Sequence, residues 1–254
     1  MSTPSYRALR VWQRNRDVFL KLWRSEVPGF FAEPLVILLA MGIGLGTYVA
    51  LSDNTDYIEF IAPGIVAAYA MFSASAECTY GSFVRMKFQR TFDAIITTPL
   101  SMEDVVAGEI FWGATRSLMT TIAVLIVVSA FGLIHSPWAL LVLPLALLTG
   151  LMFASIASFF TAVAPSIYSF NYYFTLFITP MFFFSGVFFP LDSFPEAVQR
   201  LAWISPLTSA ANLTRAIVSG DPASGAWWSL SIIVGLTAVF FPLALFMMRR
   251  RLLK

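Results

Sequence analysis

Long apolar runs, separated by short charged links, constrain this sequence more than any other feature. A bilayer core about 30 Å thick is crossed by roughly 20 apolar residues in helix. Segments 29–51, 59–83, 104–133, 138–164, 168–189 and 226–248 meet that length. Helix is the form that satisfies every backbone polar group inside one segment, so the expectation is an all-α, polytopic chain with six transmembrane helices. Composition agrees: 58% of the 254 residues are apolar and only 12% are charged. A soluble domain of this size could not hide so much apolar surface. Soluble enzymes, disulfide scaffolds and disordered regulators are excluded.

Scarce residue types exclude more. A lone cysteine, Cys78, has no internal partner, and a lone histidine, His135, makes no histidine-rich metal site. The lysines Lys21, Lys87 and Lys254 follow Leu20, Met86 and Leu253, so no Gly-Lys phosphate-binding loop exists. No Gly-x-Ser-x-Gly elbow is present. The sequence therefore offers no catalytic residue, no metal ligand set and no cofactor site, and any ATP it exploits must be bound by another chain. No repeat divides residues 1–254, which read as one transmembrane domain. The first run does not read as a cleavable signal, because a long charged segment precedes it.

The basic residues orient the runs. Thirteen of the sixteen lysines and arginines fall in residues 1–26, in the 84–103 link or in the tail from Arg249. Arg200 and Arg215 lie on the opposite side, in the 190–225 link, and Arg116 is inside a run. The positive-inside rule then places both termini in the cytoplasm.

Three segments are not spans. Arg7, Arg10, Arg14, Asp17, Lys21 and Arg24 recur at three- and four-residue steps, opposite Leu9, Trp12, Phe19, Leu20 and Trp23. That pattern predicts an amphipathic helix over 5–26 lying in the membrane interface, with lipid as its partner. In the 84–103 link, Phe88, Phe92, Ile95 and Ile96 share a helical face, predicting a short helix over 88–97. Pro99 stops it, and Ser101 with Asp104 forms a capping-box pattern that restarts helix. Apolar side chains on a cytoplasmic link form a docking surface. Prolines 190, 195, 206 and 222 divide the 190–225 link into two outward re-entrant helices within 196–218, with Arg200 and Arg215 reaching water.

Charges inside the runs are costly and mark function by default. Glu109 and Arg116 are seven residues apart and share one face of the third run, with Arg116 roughly 18 Å along it. Glu77 lies near the inner end of the second run, and an internal ion pair involving Arg116 is expected. Arg116 is also placed to attract an anionic head group. Eleven aromatics crowd residues 168–189, and of these Tyr172, Tyr173, Phe177 and Phe184 are candidates for a transport wall. Gly42, Gly44 and Gly46 permit close helix packing.

Two stretches carry a resemblance. Arg90 through Ser101, continuing to Gly108 and Glu109, resembles the motif between spans two and three of type 2 ABC exporter permeases. Pro180 through Pro195, continuing to Leu207, is similar to that family's fifth span and re-entrant turn. The wording is closest to the nodulation lipo-oligosaccharide export permeases. The resemblance covers essentially the whole chain. It implies a multi-pass, homodimeric permease of the bacterial inner membrane that exports an amphipathic, lipid-linked saccharide. It also implies two copies of a cytoplasmic ATPase subunit carrying ATP and Mg, coupled through Arg90, Phe92, Asp93, Ile96 and Pro99. Nucleic acid is not an expected partner. Two other readings stand beside it: a proton-coupled secondary transporter using Glu77, Glu109 and Arg116 as a relay, and a membrane-embedded enzyme or assembly factor, which lacks a catalytic constellation.

Overall fold

The computed structural model describes residues 4–49, 56–134, 136–220 and 225–252, and Ile96 in its backbone alone. His135 and the last two residues of the first predicted span lie outside them. The described regular structure is entirely helical: α1 (Ala8–Leu45), α2 (Tyr57–Phe88), α3 (Thr91–Ile96), α4 (Met102–Ala130), α5 (Pro137–Val163), α6 (169–184), α7 (Glu196–Ile204), α8 (Pro206–Ser219) and α9 (Ala226–Leu252). Helices α1, α2, α4, α5 and α9 are long and apolar enough to cross a membrane. Helix α6 is apolar but shorter.

Helices α2, α4 and α5 form the centre, with α1 along α4 and α9 along α5. Their apolar residues make one continuous core from Ala8 to Met248. Small residues set the spacing. A Cβ on Gly113 would sit 2.5 Å from the Cys78 sulfur, and one on Gly150 would sit 2.5 Å from the Ser117 Cβ. Gly42 fills the same role at the α1–α2 contact, where an added Cβ would meet Ile58 at 2.6 Å. Close backbone approach stands in for the water-driven attraction that lipid cannot supply.

The structure differs from the sequence reading at the start of the chain. Where an interface helix and a separate first span are expected, α1 runs unbroken through Pro28 and Pro34. A proline already has helical φ, and a helix among neighbours tolerates the missing N–H bonds. The buried stripe also differs. Ala8, Val11, Asn15 and Phe19 face α4, while Leu9, Leu20 and Trp23, expected to share one apolar face with Phe19, stay exposed. Three faces, not two, are in use: one toward α4, one apolar and outward, one basic.

The α1–α4 contact is tight at Gly108, where a Cβ would lie 2.6 Å from the Val11 Cβ and 2.7 Å from the Ala8 carbonyl oxygen. Backbone cannot swing aside as a side chain can. Gly108→Ala should destabilise the bundle by about 1–3 kcal/mol. Thermal unfolding in detergent would show it, and an unshifted midpoint would contradict the packing described.

The end of the bundle that carries α3 is laced together by polar contacts. Ser101 caps α4, accepting from the Asp104 N–H at 3.1 Å, and Asp104 accepts from the Ser101 N–H at 3.0 Å. The same carboxylate accepts from the Ser5 N–H at 2.6 Å, and Arg7 donates to the Pro99 carbonyl. Arg249 on α9 pairs with Glu103 at 2.7 Å. The start of α1, the α3–α4 link and the end of α9 are thereby tied to one collar.

At the other end, the segment after α6 turns inward at Gly186, with φ of +76°, and lies against α2. A Cβ on Gly64 would meet Val187 backbone at 2.9 Å, and the Tyr57 hydroxyl donates to the Phe188 carbonyl at 3.0 Å. Helix α8 packs on α2 and α9, burying Leu207, Ala211 and Leu213. Arg200 is exposed as expected, but Arg215 turns inward. It donates to the carbonyls of Gly186 and Phe60 at 2.9 and 3.3 Å and lies 4.4 Å over the Phe60 ring. The carbonyl at the Gly186 turn and the carbonyl and ring of Phe60 draw it inward, which the amphipathic pattern of α8 does not reveal.

Candidate functional site

The charged residues converge where α1, α2 and α4 meet. Glu109 on α4 is 2% exposed. Its carboxylate accepts from Asn15 on α1 at 2.8 Å, from Ser82 on α2 at 2.7 Å, and from Arg85 Nε and Nη2 at 2.9 and 2.6 Å. Arg14 adds a longer ion pair at 3.9 Å. Such saturation is what lets a carboxylate remain buried, since an uncompensated charge there costs several kcal/mol.

Arg85 also donates to Glu77 at 2.7 Å. Glu77 in turn lies 3.4 Å from Arg116 Nε, and Arg116 pairs with Glu26 on α1. The Arg116 guanidinium lies over the rings of Phe30 and Phe19, 4.8 and 5.3 Å from their centroids. Three arginines and three glutamates thus form a neutral relay that begins and ends on α1 and passes through α4 and α2.

Local helix geometry builds this site. In an ideal α-helix Arg85 would sit about 80° around the axis from Glu77. Helix α2 instead contains wide π turns over Glu77–Gly81 and Val84–Phe88. Each residue of a π turn winds less, bringing Glu77, Ser82 and Arg85 toward one face; π turns recur at functional sites for this kind of re-aiming.

Two cavities abut the relay. One of about 580 Å³ is lined by Arg14, Glu26, Glu77, Arg85 and Gln89 among others. The second, about 430 Å³, is lined by Glu33, Tyr69, Ser73, Thr120 and Phe174 among others. Glu77 and Arg116 line both and so stand between them.

The remaining predicted residues are not brought to this centre. Arg90 sits at the α2–α3 junction with φ of +49°, in the left-handed region that a non-glycine residue adopts at a cost. Asp93 and Pro99 are exposed on α3 and its following turn. Phe92 is 1% exposed and anchors α3 to its own bundle, so it offers no outward surface. The Ile96 side chain lies outside the described residues. Phe88 ends α2 instead of opening the short helix, which spans Thr91–Ile96. Of the aromatic candidates, Tyr172, Phe177 and Phe184 are exposed, whereas Tyr173 is 3% exposed and its hydroxyl lies 3.3 Å from that of Ser75. Tyr173 is a packing residue between α6 and α2.

Sequence reading missed Asn15, Glu26, Ser82 and Arg85. Arg85 was counted among the topology-setting loop charges because α2 was expected to end before it. The available signal was Glu109 itself: a buried carboxylate needs a cation, and the end of α2, with Arg85 and Lys87, offers two, between which packing alone decides.

Long apolar helices packed around an internal charge relay define a multi-pass membrane protein. Residues 11–218 match the family model described as ABC-2 type transporter. The chain belongs to that family and is the multi-pass membrane subunit of an ABC exporter. It is 37% identical over 247 residues to Nodulation protein J of Rhizobium meliloti, covering 96% of this chain and 94% of that one. Nodulation protein J of Bradyrhizobium diazoefficiens is 35% identical over 258 residues, covering 100% and 97%. The inner membrane transport permease YadH of Escherichia coli is 27% identical over 202 residues, covering 78% and 77%.

Proposed function

We propose that this chain works as two copies bound to a separate cytoplasmic ATPase subunit, which carries ATP and Mg, and exports an amphipathic, lipid-linked saccharide. In this reading six helices cross the bacterial inner membrane with both termini in the cytoplasm, α6 supplies the fifth crossing, and α7–α8 form the outward re-entrant unit. The ATPase docks under α3, against Arg90, Asp93 and Pro99. The observation that carries the reading is the mechanical setting of α3. It is a short helix with exposed polar groups, anchored by Phe92 and followed by a turn bonded to the start of α1. A push on α3 would reach both α1 and α4, and a lever transmits only if its two positions make different contacts at each end. The relatives named Nodulation protein J support the substrate class. The saturation of Glu109 supports a structural charge relay over a proton carrier.

Purification from native membranes tests the proposal. An ABC ATPase should co-elute, and ATP hydrolysis by the reconstituted complex should rise with amphipathic glycolipids. Reproducible absence of any ATPase would favour a secondary transporter.

A further inference from the structure

The second cavity holds an arrangement the charge relay does not use. Glu33 is exposed on α1, within the stretch apolar enough to cross the membrane. A carboxylate facing lipid is costly, so it must face water, a ligand or a partner. In this chain it faces Tyr69 of α2 across the cavity. Tyr69 is 5% exposed, and its hydroxyl is buried beside that carboxylate without closing a short hydrogen bond to it. A buried hydroxyl whose polar neighbour is a carboxylate lining the same cavity is placed to share that carboxylate with a ligand. Below them the Thr120 hydroxyl donates to that of Ser73 at 2.9 Å, leaving acceptor capacity on Thr120 and a free proton on Ser73. Phe30, Phe72 and Phe174 line the cavity around this polar strip.

The chemistry of the lining selects among ligands. Glu77 and Arg116 belong to the neutral relay, so Glu33 leaves the cavity with a net negative charge that disfavours phosphate or sulfate. Carboxylate, phenol and hydroxyls offer alternating acceptors and donors, which suit the hydroxyls of a sugar ring. Aromatic side chains suit its polarised C–H groups. The volume of about 430 Å³ is within the range of small-molecule sites.

We infer that the cavity around Glu33 and Tyr69, between α1, α2 and α4, is a subsite for a single hydroxyl-rich sugar residue, uncharged or amine-bearing, and that it excludes anionic head groups. The inference rests on the saccharide-export reading and adds where the sugar is held. The cavity of about 580 Å³ that adjoins it across Glu77 and Arg116, where Arg14 keeps two buried nitrogens without hydrogen-bond partners, stays open to the anionic portion of the same molecule.

The test is photolabelling of the full chain, purified with its co-eluting partner into lipid nanodiscs. One probe is an alkyl glucoside carrying a diazirine on the sugar. The other is an alkyl phosphate of the same chain length with a diazirine beside the phosphate. The glucoside should label peptides containing Glu33 and Tyr69, and Glu33→Gln combined with Tyr69→Phe should reduce that labelling roughly tenfold. Tyr69→Phe alone removes an oxygen whose polar neighbour is the exposed Glu33, so folding is preserved and labelling should still fall. The phosphate probe should label these peptides weakly. Equal labelling in the variants, or equal labelling by the phosphate probe, would overturn the subsite. ATP-coupled export measured in the same nanodisc preparation, rebuilt as proteoliposomes, separates the two readings. Labelling as expected without ATP-coupled export overturns the exporter reading alone, and variant-insensitive labelling with export intact overturns the subsite alone.

Discussion

Glu109→Ala should prevent stable assembly. It strips Arg85 of its main counter-charge and leaves Asn15 and Ser82 without their acceptor. Breaking a buried pair by removing one partner costs about 3–5 kcal/mol, a large share of the roughly 5–15 kcal/mol that holds a protein folded. Expression should fall and the unfolding midpoint in detergent should drop by many degrees. Removing both charges together, as Arg85→Met with Glu109→Leu, should recover much of the loss, because the unpaired charge is the cost. Recovery would be incomplete, since Glu77 loses one of its two arginines. If the double variant were no better than Glu109→Ala, the relay would not be held by charge compensation. The lost hydrogen bonds to α1 would then dominate.

Arg116→Met should behave differently. Glu77 keeps Arg85, and Glu26 is one-third exposed and open to water, so neither carboxylate is stranded. The bundle should assemble at near-normal yield with a loss of about 1–3 kcal/mol in stability. Transport should suffer far more. Arg116 joins α1 to α2 at the partition between the two cavities, and a coupling energy of 1–3 kcal/mol corresponds to roughly 5- to 150-fold in a linked equilibrium. The expected result is ATP hydrolysis that continues while export falls at least about tenfold. Arg116→Lys should restore it only in part, because a point ammonium cannot bridge two carboxylates while lying flat against two rings. Unchanged export in Arg116→Met would make the residue structural glue alone.

What the sequence made legible follows from which forces act locally. The helical class, the capping box at Ser101 and the internal charges at Glu77, Glu109 and Arg116 are written in hydropathy, cap chemistry and the cost of charge in lipid. These depend on a residue and its near neighbours. Partners across the bundle are not local. That Glu109 meets Arg85, and Arg116 meets Glu26, depends on where α1 lies and on π turns in α2 that no periodicity of 3.6 reveals. The continuity of α1 escaped for a similar reason: proline reads as a break in isolation, but a helix held by neighbours passes through it. Phe92 and Tyr173 were read as surfaces because apolar and aromatic residues at a link or in a span fit either role. Only packing decides, and it buries both.

The account depends most on α3 as the point where another subunit's energy enters. Cys78 is fully buried, so the unaltered chain offers a bifunctional maleimide almost no background. An Asp93→Cys variant in inverted membrane vesicles should cross-link to the co-expressed ATPase subunit, and the yield should change when ATP is added. Labelling of that cysteine by an impermeant maleimide from outside intact cells, with no cross-link to any ATPase in vesicles, would contradict the account.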